Sequence, residues 1–208
     1  MTSTRAARRL PAAERRRAIV DAGLKVFAGR SYTGATTAEI AREAGISEPI
    51  LYRHFESKRD LYFACLDEAW ACLRDAFDAK LRELGAENGV EAIGQTALAL
   101  RPLRVLIPNL WIQGLSAAGD DQDIRRYLCR HMREVHDHVA GMFRQARAAG
   151  CLPADRDPDA EAWIFIAGGL LASVADRLGG VLSPDDFAAI SHQRRRWLTG
   201  QEAPGRPT

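Results

Sequence analysis

The sequence predicts an all-α protein of about nine helices, and three observations carry that prediction. Apolar residues recur at steps of three and four along almost all of the 208-residue chain, the spacing that lines one face of a helix. No stretch alternates apolar and polar residues as a half-buried strand would. Helix punctuation is dense: Ser, Thr or Asp, followed by Pro or by an acid three residues on, marks one start after another.

The elements follow in order. Pro11 suits the first position of a helix that carries Ile19, Gly23, Val26 and Phe27 inward and closes near Gly29. A second helix starts at Thr36 or Thr37, where Thr36-x-x-Glu39 fits a capping box, and stops at Gly45, which tolerates the left-handed conformation of a helix end. Ser47 caps a third, very short helix with Pro49 in its first turn, where a missing N–H costs little. Ser57-x-x-Asp60 opens a fourth, whose apolar stripe is read as Leu61, Cys65, Ala69, Cys72, Ala76 and Leu84. Gly85–Gly89 breaks it. Further helices are expected near 89–101, 102–118, 121–149, 157–178 and 184–198, the last two opened by Asp157-Pro158 and Ser183-Pro184. The expected organisation is a basic flexible arm (1–10), a head (11–58), a helical body (59–199) and a disordered Gly/Pro-rich tail (200–208).

Composition bounds the function. The chain is 47% hydrophobic and 27% charged, as a soluble globular protein is. Its longest apolar run, Ala162 to Ala175, is shorter than the roughly 20 residues that span a bilayer. No apolar segment follows the opening MTSTRAARRL, so a cytoplasmic protein without a membrane partner is expected. Cys65, Cys72, Cys129 and Cys151 form no C-x-x-C pair and are read as reduced thiols, with no metal and no cofactor expected. An enzyme finds no support: there is no Gly-rich phosphate loop, no nucleophile with a matched base and no placed pair of carboxylates. Charge is uneven. Residues 1–60 hold twelve Lys and Arg against seven Asp and Glu, and the remainder seventeen against twenty. A basic first quarter suits an end that meets a polyanion.

The second helix, the turn at Gly45–Ser47 and the third helix have the lengths and the Gly-containing bend of a helix-turn-helix. At about 100° per residue, Leu51 and Phe55 share the buried face of the third helix, and Arg53 points away between Pro49 and Ile50. Tyr52 and His54 flank that outward face. Arg can bond guanine or phosphate, and apolar Pro and Ile can meet thymine methyls, so this face suits a major groove. Tyr52, His54, Lys58 and the hydroxyl and N–H groups at Thr37 suit phosphates on the groove walls. Thr36 and Ser47, at the starts of the same two helices, are counted among the DNA-binding candidates.

The segment T-T-A-E-I-A-R-E-A-G-I-S-E-P-I-L-Y-R-H-F-E-S-K-R-D-L, with Phe27 and Tyr32 before it, resembles the DNA-binding domain of the tetracycline-repressor (TetR) family of bacterial regulators over roughly residues 12–62. The resemblance implies phosphate contacts from Thr37, Tyr52, His54 and Lys58, and base contacts from around Glu48, Pro49, Ile50 and Arg53. Many members carry Gly where this chain has Pro49. Glu48 has two readings: an acceptor for a cytosine N4, or an acid that complements the helix dipole. The arginines Arg5, Arg8, Arg9, Arg15, Arg16 and Arg17 likewise read either as a DNA-touching arm or as a solubilising tail.

Behind this head the resemblance implies a helical regulatory domain that binds a small-molecule effector and pairs two subunits as a homodimer. The ligand-binding candidates are Trp70, Trp111, Gln113, Tyr127, His131 and His138, with the last three bordering the apolar stripe of the helix at 121–149 and His136 facing elsewhere. The dimer candidates are Trp163, Phe165, Gly168, Gly169, Phe187 and Trp197. Gly168 and Gly169 lower helix propensity, as a close helix approach would require. The expected function is a ligand-responsive repressor on a pseudo-palindromic double-stranded operator. The alternative is a ligand-independent architectural DNA-binding protein.

Overall fold

A computed structural model describes residues 11–85, 88–99 and 101–200, with the backbone alone at residues 89, 92, 97–99 and 101–105. Arg5, Arg8, Arg9 and the tail from 201 onward lie outside the described residues. Among the described residues there are nine helices: α1 Ala12–Gly29, α2 Thr37–Glu43, α3 Glu48–Leu51, α4 Lys58–Leu84, α5 Gly89–Ala99, α6 Arg101–Asp120, α7 Gln122–Ala148, α8 Pro158–Leu178 and α9 Pro184–Thr199. Two compact units divide the chain, Met1–Glu68 and Ala69–Thr208, and the division falls inside α4.

In the first unit α1 buries Ile19, Val20, Ala22, Gly23 and Phe27, while Val26, expected inward, is half-buried. A Cβ on Gly23 would lie 2.7 Å from Cys65 Sγ and 3.5 Å from Leu61 Cδ1, so α1 and α4 meet at a spot with room for hydrogen only. The Cys65 thiol donates to the Val20 carbonyl at 3.6 Å, and burial pushes its pKa well up. Phe27, Tyr32 and Tyr62 form an aromatic cluster, with Tyr62 edge-on to Phe27 at 5.2 Å and 5.0 Å from Tyr32. Such pairs add roughly 0.5–1.5 kcal/mol each beyond the area they bury. Arg15, Arg16 and Arg17 belong to α1, where the Arg16 guanidinium lies 4.7 Å over the Phe55 ring.

The apolar stripe of α4 departs from the expected one. Cys72 is exposed and Ala76 only half-buried, whereas Leu61, Cys65, Ala69, Leu73 and Phe77 are all buried. A step of four overshoots one helical turn by about 40°, so the buried side rotates around the helix as it runs. The expected stripe took a step of three after Ala69 and so kept to one side.

In the second unit α6, α7 and α8 pack against one another, with Ile124, Val139, Ala140 and Ala146 of α7 fully excluded from solvent. Its start is capped by the Asp121 carboxylate, which accepts from the Asp123 and Ile124 N–H groups at 2.8 and 3.1 Å. Asp157 caps α8 and Ser183 caps α9, each with Pro in the first turn, and Ser183 forms a full capping box with Asp186. These caps supply acceptors to backbone N–H donors that the helix leaves unsatisfied, which is why the starts are so sharply marked in the sequence. α9 buries only Leu198. Its Trp197 indole N–H donates to the buried Glu161 carboxylate at 2.9 Å, and Arg156 stacks 3.5 Å over the ring.

Candidate nucleic-acid interface

The bend between α2 and α3 is built from backbone bonds. Thr36 caps α2 through a full capping box: its hydroxyl accepts from the Glu39 N–H at 3.2 Å, and the Glu39 carboxylate accepts from the Thr36 N–H at 3.2 Å and hydroxyl at 3.1 Å. Arg30 holds the other Glu39 oxygen at 3.1 Å. At the far end Gly45, at φ +66°, lets its own N–H reach Arg42 O and the Ile46 N–H reach Ala41 O, the paired bonds of a Schellman stop. Any residue with a Cβ would be strained there.

Ser47 occupies the N-cap position of α3, but its side chain makes no cap hydrogen bond, contrary to the expected capping role. Regular α-helix ends at Leu51. The coil continues as a tighter turn in which Arg53 N–H bonds Ile50 O and His54 N–H bonds Leu51 O at 2.9 Å. Leu51 is fully buried and Phe55 nearly so. That orientation turns Pro49, Tyr52 and Arg53 outward as exposed side chains, with Ile50 and His54 half-buried beside them. Tyr52 keeps 47% of its surface in solvent, a large aromatic left uncovered.

Three of the expected DNA-facing side chains are tied to each other. The Thr37 hydroxyl, nearly buried, donates to a Glu48 carboxylate oxygen and stands 3.1 Å from the Tyr52 hydroxyl. Glu48 therefore neither stands free at the groove face nor acts on the helix dipole alone; it links α3 to the start of α2. Lys58 also turns part of its charge inward. Its ammonium donates to the carbonyls of Tyr32 at 3.0 Å and Ala35 at 3.1 Å and lies 4.6 Å over the Tyr32 ring, and partial burial lowers its pKa. Two of its three donors are used in this way. Thr36 has both its N–H and its hydroxyl on Glu39, so its role within the fold is the cap.

The candidate ligand residues of the second unit fall into two groups. Trp111 donates its indole N–H to His131 Nδ1 at 3.1 Å, and Tyr127 lies against the same imidazole at 5.8 Å. Tyr127 and His131, expected to border the α7 stripe, are both buried. Trp70 stands edge-on to His138 at 5.3 Å and donates to Glu134 at 3.2 Å, while His138 Nε2 is 3.3 Å from Asp78. Desolvation lowers the His138 pKa, with Asp78 pulling the other way. Gln113 is buried with its amide nitrogen unpartnered, and Thr96 and Ser173 each bury a hydroxyl in the same condition. His136 does face elsewhere: it is buried toward α8, with Nε2 3.1 Å from Asp159 O and its ring stacked on Trp163 at 4.4 Å.

Of the dimer candidates, Trp163 and Trp197 are about half exposed, and Phe187 is half-buried. Phe165 instead packs edge-on to Phe77 of its own unit at 6.0 Å, and Gly169 is buried. A Cβ on Gly168 would meet nothing within 4 Å, so no neighbour described within the chain presses against it. No group of three or more His, Cys, Asp and Glu among the described residues could hold a metal ion, and no described helix is long and apolar enough to cross a membrane.

The Thr37–Glu48–Tyr52 bonds and the inward turn of Lys58 escaped sequence reasoning. The partners lie 11 to 26 residues apart on different elements, a separation that no helical period encodes. Likewise the buried Glu161 sits among the acids of the first turn of α8, where a solvated partner of the helix dipole would look the same.

Comparison with known proteins bears on the first unit most directly. Residues 19–65 match the family model for bacterial regulatory proteins of the tetR family. The transcriptional activator FasR of Mycolicibacterium smegmatis is 50% identical over 58 residues, which make up 28% of this chain and only 26% of FasR. The transcriptional regulator AcuR of Cereibacter sphaeroides is 31% identical over 163 residues, covering 74% of this chain and 73% of AcuR. In fold, a TetR-family regulator from Rhodococcus sp. superposes with a TM-score of 0.74 at 23% identity, covering 90% of this chain and 99% of its own. With the helix-turn-helix in place and a relative of this similarity matched over both units, the chain belongs to the TetR family of bacterial transcriptional regulators.

Proposed function

We propose that this protein is a ligand-responsive transcriptional repressor that binds a pseudo-palindromic operator as a homodimer and is released by a small-molecule effector. One observation carries the DNA-binding part: Pro49, Tyr52 and Arg53 are turned to solvent on α3 and the turn that continues it because Leu51 and Phe55 are turned inward. In this reading Glu48, Pro49, Ile50 and Arg53 face base edges, and Thr37, Tyr52, His54 and Lys58 face phosphates. Residues 11–58 act on DNA, 59–199 hold the effector and the partner subunit, and the protein works in the cytoplasm.

Dimerisation is supported by Ile164, Leu171, Val174 and Leu178 on α8 and Ile190 on α9, each 40% or more exposed in the single chain. Apolar surface of this kind on consecutive helices suits a four-helix interface between two subunits. An effector is supported by the buried, unpartnered Thr96, Gln113 and Ser173, since buried polar groups without partners cost free energy until something satisfies them. An effector releases DNA only if it binds the two conformations with different affinity.

Selection of bound sites from genomic fragments at stated salt tests the proposal, and an enriched inverted repeat is the expected result. Arg53→Ala should then lose roughly 1–3 kcal/mol of discrimination at one base pair of each half-site. Failure to enrich any repeat would overturn the operator model.

A further inference from the structure

The cluster at the start of α2 carries an inference about how operator and other DNA are told apart, and it rests on the DNA-binding reading above. The Glu48 carboxylate accepts from the Thr37 hydroxyl, and the Tyr52 hydroxyl stands 3.1 Å from the same Thr37 oxygen. A carboxylate has no proton to give, so the single Thr37 proton points at Glu48. Tyr52 is then the donor to Thr37. The chain runs one way, Tyr52 to Thr37 to Glu48, and it aims both hydroxyl protons toward an anion of the protein.

Those hydroxyls are the groups proposed for the DNA backbone. A phosphate oxygen also only accepts, so phosphate and Glu48 compete for the same protons. The carboxylate adds like-charge repulsion against the phosphate beside it. The conflict is relieved where a base presents an amino group in the major groove, a cytosine N4 or an adenine N6, to take up the carboxylate. Thr37 and Tyr52 are then released to turn toward phosphate.

We propose that Glu48 is a specificity-determining residue that withholds Thr37 and Tyr52 from the DNA backbone until a base amino group claims its carboxylate. Base reading and backbone clamping become one event. A mismatched site loses both the base contact and the two phosphate contacts that depend on it.

The test uses the full chain and fluorescence anisotropy on two labelled duplexes of equal length, the selected operator and a base-shuffled version, at several salt concentrations. E48A should bind the shuffled duplex about fivefold tighter, through lost repulsion and lost competition for protons. The operator-to-shuffled ratio should shrink about tenfold if one base contact goes as well. The salt slope on shuffled DNA should steepen by no more than about one, from the lost carboxylate charge, because neutral hydroxyls release no counterions. The decisive arm adds E48A to the double variant T37V/Y52F, which lacks both hydroxyls. There the tightening should shrink to the share that lost repulsion supplies, under about twofold. An equal gain in that background would mean that Glu48 acts only as a negative charge, and the proposal would be overturned; so would an unchanged ratio in E48A. E48Q, which keeps the side-chain shape, should shift in the same direction and replaces E48A if the latter melts below assay temperature. The shuffled-duplex arms need no operator, so they decide the role of Glu48 even if site selection enriches nothing.

Discussion

Lys58→Met separates what the Lys58 ammonium does inside the protein from what it does for DNA. Methionine keeps an unbranched apolar stem of similar length and removes the charge. Lost with it are the bonds to Tyr32 O and Ala35 O, at 3.0 and 3.1 Å, and the contact 4.6 Å over the Tyr32 ring. A hydrogen bond to a charged group contributes about 1.5–3 kcal/mol when dry, and a cation over an exposed ring about 0.5–1 kcal/mol. Lys58 is only part-buried, so water replaces some of these contacts, and the expected cost is about 2 kcal/mol. An ordinary surface lysine would change stability by less than about 0.5 kcal/mol. Urea unfolding of the full chain followed by circular dichroism measures the difference. A cost under about 0.5 kcal/mol would refute the claim that Lys58 ties the segment around Tyr32 and Ala35 to the start of α4. At a temperature where the variant is folded, DNA binding should lose about 0.9 from its salt slope if the third donor meets a phosphate.

Gly23→Ala should destabilise by about 1 kcal/mol, overpacking against Cys65 Sγ at 2.7 Å being partly offset by better helix propensity. Adding Cys65→Ala should recover part of that loss in a double-mutant cycle of urea midpoints, and strict additivity would contradict the contact. Acidification should destabilise the second unit through His138. Its folded pKa is lowered, first by desolvation, so the unfolded chain binds the proton more readily. That contribution is in place above the ordinary histidine range and fades as pH falls through it. Thermal melts at pH 7.5 and 5 should therefore diverge less in His138→Gln than in the parent protein, and an identical divergence would remove His138 as a cause.

Helix starts were legible because each is written in a few adjacent residues. Thr36 with Glu39, Asp157 with Pro158, and Ser183 with Asp186 satisfy backbone donors locally, so the chain need not be folded for the signal to be read. The inward Leu51 and Phe55 were legible for the same reason: four residues on a helix fix a shared face. What the sequence hides are choices between equally good local partners. Lys58 could donate to solvent or to Tyr32 O, Glu48 could accept from a base in a groove or from Thr37, and only the tertiary approach of α2, α3 and α4 decides.

The four-residue march of Leu61, Cys65, Ala69, Leu73 and Phe77 along α4 has a consequence for how this helix tolerates change. A repeat longer than the helical turn winds its buried line right-handedly, the reverse of a coiled-coil seam. Between Leu61 and Phe77 the line moves through roughly 160°, close to half a revolution. A saturation scan of α4 should thus show its permissive positions spiralling rather than forming a fixed stripe. Asp67, Cys72 and Asp75, exposed along the way, mark where charge is accepted. A heptad register imposed on this helix, in an alignment or in a redesign, would place charge in the core within three turns.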